Sequence, residues 1–277
     1  MGRLYVVATP IGNLEDISAR ALRILGEADL IAAEDTRHSR RLLEHYGVRT
    51  PLTSFHEHNE REKTPELIER MNQGAAVALI ADAGTPCISD PGYLLVRAAH
   101  EAGIEVVAVP GPSALAAAAS ISGLPAEPLT FHGFFPRKAG KARDLLKRCR
   151  DFGGAHVFFE APGRVRAALG AIRENAPGAT VAVAREMTKH YEQVVTGSIE
   201  TLADEANAFP EKGEFVLVVY PGSSAGAAAA PDPSELRSCV ETLMNEQGLS
   251  RRDAIRQVAK DRNVPRNTVY AAAMETD

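Results

Sequence analysis

Over the first 110 residues, short apolar runs alternate with amphipathic stretches, and this alternation restricts the fold more than any other feature of the chain. The runs at 3–8, 29–33, 50–54, 75–81 and 105–109 read as strands, and the segments at 18–27, 37–46, 60–72 and 93–102 as helices. Strands that are continuously apolar, each followed by a helix, imply a mostly parallel sheet covered on both faces. Ser18 caps the first helix, while Thr36 opens the second and Gly47 closes it.

A second α/β unit follows. Strand candidates 129–132 and 156–159 flank a basic helix at 140–151. A helix at 164–175, a strand at 180–184, an extended segment at 192–196, a helix at 198–206 and a strand at 214–220 complete it. The hairpin-like spacing predicts a mixed sheet. The expected fold is therefore two α/β domains, 1–112 and 113–221, with a linker at 222–233 of low complexity and a helical module at 234–277. Helices at 234–246, 250–262 and 266–274, with a turn at Asn263-Val264-Pro265, give that module a helix-turn-helix outline.

Composition excludes several classes. Apolar content of 45% and charged content of 24% are ordinary for a globular protein, and no run approaches the roughly 18 apolar residues of a membrane span. The apolar stretch 4–8 is too short for a signal peptide. Cys87, Cys149 and Cys239 are odd in number and lack His at metal-ligand spacing, so neither disulfides nor a metal site is expected and a reducing cytoplasm is. The net charge of −5 argues against wholesale nucleic-acid binding. Basic residues nevertheless cluster at 137–150 and 251–266, either as phosphate-tracking patches or as solvated helix faces.

The loops after the strands carry the chemistry. Between Ala81 and Gly92 the chain reads Ala-Asp-Ala-Gly-Thr-Pro-Cys-Ile-Ser-Asp-Pro-Gly, a loop of small and polar residues where open α/β sheets bind ligands. The first loop, 8–18, has one glycine and is no dinucleotide fingerprint, and no Walker loop is present. Pro110-Gly-Pro-Ser-Ala114 opens a helix of small residues, which suits either a ligand or close packing. Asp35 and Arg37 fall at a strand–helix junction, whereas His56 and His58 lack a third ligand and read as a solvated loop. In the second unit, 158–164 and 182–190 each pair Glu with Arg, as functional groups or as ion pairs of Glu160 with Arg185 or Arg164 with Glu186.

Eight motifs occur in order: Thr9-Pro-Ile-Gly-Asn-Leu14, Ala33-Glu-Asp-Thr-Arg37, His56-Glu-His-Asn59, the stretch Asp82 to Gly92, Pro110-Gly-Pro-Ser-Ala114, Phe131-His-Gly-Phe-Phe-Pro136, Glu160-Ala-Pro-Gly-Arg164 and Ala184-Arg-Glu-Met-Thr-Lys189. In this combination the chain resembles the bacterial small-subunit ribosomal RNA cytidine 2′-O-methyltransferases, of the tetrapyrrole-methylase-like class that uses S-adenosylmethionine. The resemblance implies a methyl donor bound in the cleft between two α/β domains. It maps donor contacts onto Pro10, Ile11, Asp82, Ala83, Gly84, Thr85, Pro86, Ile88, Ser113, Ala114, Glu160, Ala161 and Ala184. Many tetrapyrrole methylases carry Gly-Asp-Pro where this chain has Gly84-Thr85-Pro86, which points away from porphyrinoid substrates.

The implied chemistry is an in-line displacement by a ribose hydroxyl at a sulfonium methyl, for which the protein supplies alignment and a base. Asp35, Glu186 and Lys189 are the candidate bases by position, and Arg37 a candidate for the adjacent phosphate. Arg137, Lys138, Lys141, Arg143 and Lys147 are the candidate RNA contacts, with Phe134 or Phe135 stacking on a base. The resemblance also implies a homodimer and a substrate within the small ribosomal subunit. A methyltransferase of siroheme or corrin precursors is the alternative on the same fold. A DNA-binding regulator fits less well, because Asn267, Thr268, Tyr270 and the single Arg266 make a poor recognition helix.

Overall fold

The computed structural model describes residues 2–222, 233–261 and 266–274. The chain divides into two compact units, Met1–Gly222 and Ser223–Asp277. The first holds two five-stranded sheets.

The leading sheet comprises β1 (Arg3–Val7), β2 (Leu30–Ala33), β3 (Leu52–Ser54), β4 (Ala76–Ile80) and β5 (Glu105–Val109), in the order β3-β2-β4-β1-β5 and parallel throughout. Period-two alternation along β4 sends Val77 and Leu79 to one face and Ala78 and Ile80 to the other. The first face packs on α3 (Glu60–Asn72) and α4 (Tyr93–Glu101), the second on α1 (Ala19–Glu27) and α2 (Thr36–His45). The central strands β2 and β4 are buried on both faces, which is why they read as unbroken apolar runs. Ser18 caps α1 as expected, accepting from the Ala21 N–H at 3.0 Å. Helix α2 is capped one residue earlier than its sequence suggests: the Asp35 carboxylate, not Thr36, accepts the Arg37 N–H at 2.8 Å.

The neighbours β1 and β4 send their connections to opposite edges of the sheet, β1 to β2 and β4 to β5. That makes the gap beyond their carboxyl ends the topological switch point, where open sheets hold ligands. A reciprocal pair of backbone hydrogen bonds between Thr9 and Gly84, 2.9 and 3.0 Å, ties the two loops together there. Gly84 sits at φ +81°, open to glycine at little cost.

The second sheet contains β6 (Leu129–Phe134), β7 (Ala155–Glu160), β8 (Thr180–Arg185), β9 (Gln193–Ser198) and β10 (Phe215–Tyr220) in the order β6-β7-β10-β8-β9. It is mixed: β6 and β7 are parallel and the other pairs antiparallel. One face packs on α6 (Ala139–Phe152), α7 (Val165–Asn175) and α8 (Ile199–Asp204). The other carries Val157, Ala182, Ala184, Val216 and Val218, packs on α5 (Ala114–Ile121) and takes in Ile11 from the leading lobe. A bulge between Phe131 and Phe134, with Gly133 at φ +68°, interrupts β6 and leaves the Phe134 ring 59% exposed.

The second unit contains α9 (Pro233–Gln247), α10 (Arg251–Asp261) and α11 (Arg266–Met274), packed through Leu236, Val240, Ala254, Ile255, Val258, Val269 and Ala272. The turn at 263–265 and most of the linker lie outside the described residues. No helix among the described residues is long and apolar enough to cross a membrane.

Candidate active site

Two adjoining cavities of about 330 Å³ each open where the switch point of the leading sheet faces the ends of β7, β8 and β10. They share Ile11, Ala83 and Glu214, so they form one cleft. Of the expected donor contacts, Pro10, Ile11, Asp82, Ala83, Gly84, Thr85, Ile88, Ser113, Ala114, Glu160 and Ala161 line it. Pro86 and Ala184 do not. Pro86 is buried in its own turn, and Ala184 faces the apolar layer with Val216. Ala184 nevertheless shares its face of the sheet with its cross-strand partner Val216, which does line the cleft.

The walls are stitched from short polar contacts. Thr85 donates from Oγ1 to the Pro112 carbonyl at 3.1 Å, and Thr9 from Oγ1 to the Ala81 carbonyl at 3.1 Å. Asp82 accepts the Asp35 N–H at 2.9 Å. Among the described residues, the four non-glycine residues at positive φ, Cys87, Ser89, Glu186 and Thr188, lie in two loops at this cleft. Such backbone costs of order 1–3 kcal/mol per residue and persists where the surroundings hold it, commonly at functional sites.

Glu160 stands out chemically. Its side chain is 0% exposed; Oε1 accepts the Ala161 N–H at 2.7 Å and lies 3.1 Å from the Arg164 guanidinium. Oε2 is buried with no hydrogen-bond partner among the described residues, an acceptor left for a ligand. Burial raises its pKa, against the Ala161 amide and the charges of Arg164 and Arg137. Neither expected ion pair forms. Glu160 pairs with Arg164 across one tight turn, while Arg185 reaches the Lys212 carbonyl and lies over the Phe215 ring.

The expected bases fare differently from their place in the chain. Asp35 and Arg37 bind each other at 3.2 Å outside the cleft, Arg37 with 91% of its side chain exposed. Its hydrogen bonds from Arg37 hold Asp35 below its ordinary pKa, so it is a poor proton acceptor. Lys189 lines the cleft but donates to Glu186 and Glu214, both at 3.0 Å. Burial opposes its charge; the two carboxylates outweigh that and hold the ammonium above its usual pKa. Burial also opposes the charge of Glu186, which its bonds to Lys189 and the Glu214 amide keep ionised.

A carboxyl outside the expected set is better poised. Asp90 lines the cleft beside Ile88 and Phe134, and burial, then Glu34 and Asp82, push its pKa up to about 7. Glu34 is itself raised by burial and by Asp82. Position in the opening loop marks Asp90 as polar; burial and the folded proximity of two more carboxyls make it a candidate base. Glu214, Phe159 and Phe215 also line the cleft without having been expected there. His56 and His58 lie 6.0 Å apart between ring centres, in the loop before α3.

A sequence profile of the tetrapyrrole (corrin/porphyrin) methylases matches residues 3–203, which span the leading sheet, every strand of the second except β10, and all the cleft residues before Gly213. The chain belongs to that family. Its chemistry is methyl transfer, and the donor of the family is S-adenosylmethionine. The chain is 43% identical to a "Ribosomal RNA small subunit methyltransferase I" of Mesorhizobium japonicum, over 98% of this chain and 91% of that one. It is also 43% identical to the protein of the same name from Pseudomonas aeruginosa, over 99% and 97%. Among solved structures, a diphthine synthase superposes with a TM-score of 0.62 at 16% identity, covering 79% of this chain and 90% of that one. The Thermus thermophilus uroporphyrin-III-C-methyltransferase gives 0.54 at 20% identity, covering 79% and 94%; at such identities the likeness is one of fold.

Proposed function

We propose that this protein methylates the ribose 2′-hydroxyl of a cytidine in small-subunit ribosomal RNA, taking the methyl from S-adenosylmethionine. The observation that carries the reading is the match, over nearly the whole chain, to relatives named for the small-subunit RNA. In this reading the lobes 1–112 and 113–221 close on the donor, and the module 234–277 adds contacts to RNA. A cytoplasmic homodimer working on the assembled or assembling subunit completes the picture.

The cleft suits the donor by its orphaned Glu160 oxygen and its small floor of Ala83, Gly84, Ala114 and Ala161. When bound, S-adenosylmethionine supplies an electrophilic sulfonium methyl. Glu160 accepts a hydrogen bond from the donor, and Asp90 takes the proton of the ribose hydroxyl. Phe134, exposed beside the cleft, offers a face for base stacking. The candidate RNA contacts Arg137, Lys138, Lys141, Arg143 and Lys147 are all exposed on α6 or just before it.

The reading is tested by incubating the protein and labelled donor with 30S subunits, naked 16S RNA or uroporphyrinogen, then digesting to nucleosides. Labelled 2′-O-methylcytidine from the ribosomal substrates is expected; label in the tetrapyrrole alone would overturn it. Reversing charge at Lys141, Arg143 and Lys147 is expected to lower the salt slope of RNA binding by about 2–3 while donor affinity stays put. Filter binding across a salt series reads this.

Gly12 supplies a second check. A Cβ there would collide with Lys189 Cγ and Thr188 Oγ1, so Gly12→Ala displaces Lys189 from its two carboxylates. Losing a charged hydrogen-bond arrangement at the cleft should weaken donor binding about tenfold. Calorimetry with S-adenosylhomocysteine measures it.

A further inference from the structure

A second cluster of donor atoms lies away from the cleft, beneath α6. His132 comes from the bulge of β6, His156 from β7 and Cys149 from the buried side of α6. One ligand atom from each lies within 4.8 Å of the others. His132 Nε2 is 2.9 Å from His156 Nδ1 and 3.8 Å from Cys149 Sγ. A triangle of those sides, its third no longer than 4.8 Å, has a centre roughly 2–2.4 Å from each corner, the range of zinc–imidazole and zinc–thiolate bonds.

The outer contacts agree. His156 Nε2 lies 3.0 Å from the Cys149 carbonyl, which only accepts, so that nitrogen carries the proton and Nδ1 is bare. A ligating imidazole whose other nitrogen donates to a backbone carbonyl is the usual outer-shell pattern. The His132 ring is fixed by stacking on Phe158, 4.9 Å between centres at 13°. Arg148 opposes a nearby cation; burial pushes the Cys149 thiol up to about 11, and the Arg148 charge works the other way.

We propose that His132, Cys149 and His156 form a three-ligand site for a borderline-soft divalent ion, zinc, which pins the basic helix α6 to β6 and β7. Binding releases the Cys149 thiol proton to solvent, and the His132 proton moves from Nε2 to Nδ1, so one proton leaves per ion bound. The sequence hides the site because its ligands come from three elements, with no metal-ligand spacing between them.

The test uses the untagged full chain, stripped with chelator and titrated with cobalt(II), then zinc. Expected are one cobalt per chain, a thiolate-to-cobalt charge-transfer band bleached by zinc, and one proton released. Cys149→Ala and His132→Phe should each weaken binding at least tenfold, while Cys87→Ser and Cys239→Ser leave it unchanged. His132→Phe keeps the stacked ring, so it decides the matter if Cys149→Ala does not fold. A wild-type chain without the band, or a band that survives either variant, overturns the proposal and leaves a hydrogen-bonded histidine pair beside a buried thiol.

Discussion

Glu160→Gln is expected to weaken binding of S-adenosylmethionine and S-adenosylhomocysteine by about tenfold to a hundredfold, the worth of roughly 1.5–3 kcal/mol for a hydrogen bond to a charged acceptor. The substitution keeps shape and volume, so the cleft stays open. It converts one carboxylate oxygen to an amide, and the partner-seeking Oε2 is the atom whose loss matters. Stability should move the other way, or hardly at all. Burial raises the folded-state pKa of Glu160, so its ionised form opposes folding, and stability falls as pH rises from the ordinary carboxylate range through the raised value. A neutral glutamine removes that opposition at neutral pH, though Arg164 loses its counter-charge. Calorimetry and thermal unfolding on the same samples separate the two effects. Unchanged donor affinity would remove Glu160 from the site.

Asp90→Asn should lower the single-turnover rate by 10²- to 10⁴-fold, roughly the contribution of a positioned general base. The wild-type rate should climb with pH through about 7 and level above it, because the base works only when ionised and the group titrates at about 7. Glu34→Gln removes one of the negative charges that raise it, so the rising limb should shift to lower pH while the plateau stays. A profile that is flat between pH 5 and 9 in the wild type, or a rising limb that survives in Asp90→Asn, would put the base elsewhere.

The central strands β2 and β4 of the leading lobe are legible because they are buried on both faces: each is a short apolar run with no alternation to misread. The loops were legible for the opposite reason, since only a ligand site or a tight turn needs so many small and polar residues in one stretch. What stayed hidden depends on contacts distant in sequence. The pKa of Asp90 is raised by burial and then by Glu34 and Asp82, which approach it only through the strand order. The pairing of Glu160 with Arg164, rather than with Arg185, follows from the tight turn after β7. Asp35 reads as a candidate base by position, and its carboxylate caps α2, accepting the Arg37 N–H two residues on and pairing with the Arg37 guanidinium. Transfer by resemblance points to loops that line the cleft, and it does not tell which of their side chains do so: Pro86 and Ala184 are not among the lining residues.

Strand β10 lies in the middle of the second sheet, between β7 and β8, although it is the last of the ten in the chain. Phe215 at its start stands opposite both Glu160 and Arg185. Until residue 220 has been made, β7 and β8 face each other across a missing rung, with unpaired edges open to stray association. The start of that strand, with Gly213 and Glu214 before it and Phe215 and Val216 within it, forms one wall of the cleft, so a chain cut short before it would hold all the residues of the first loops and lack that wall.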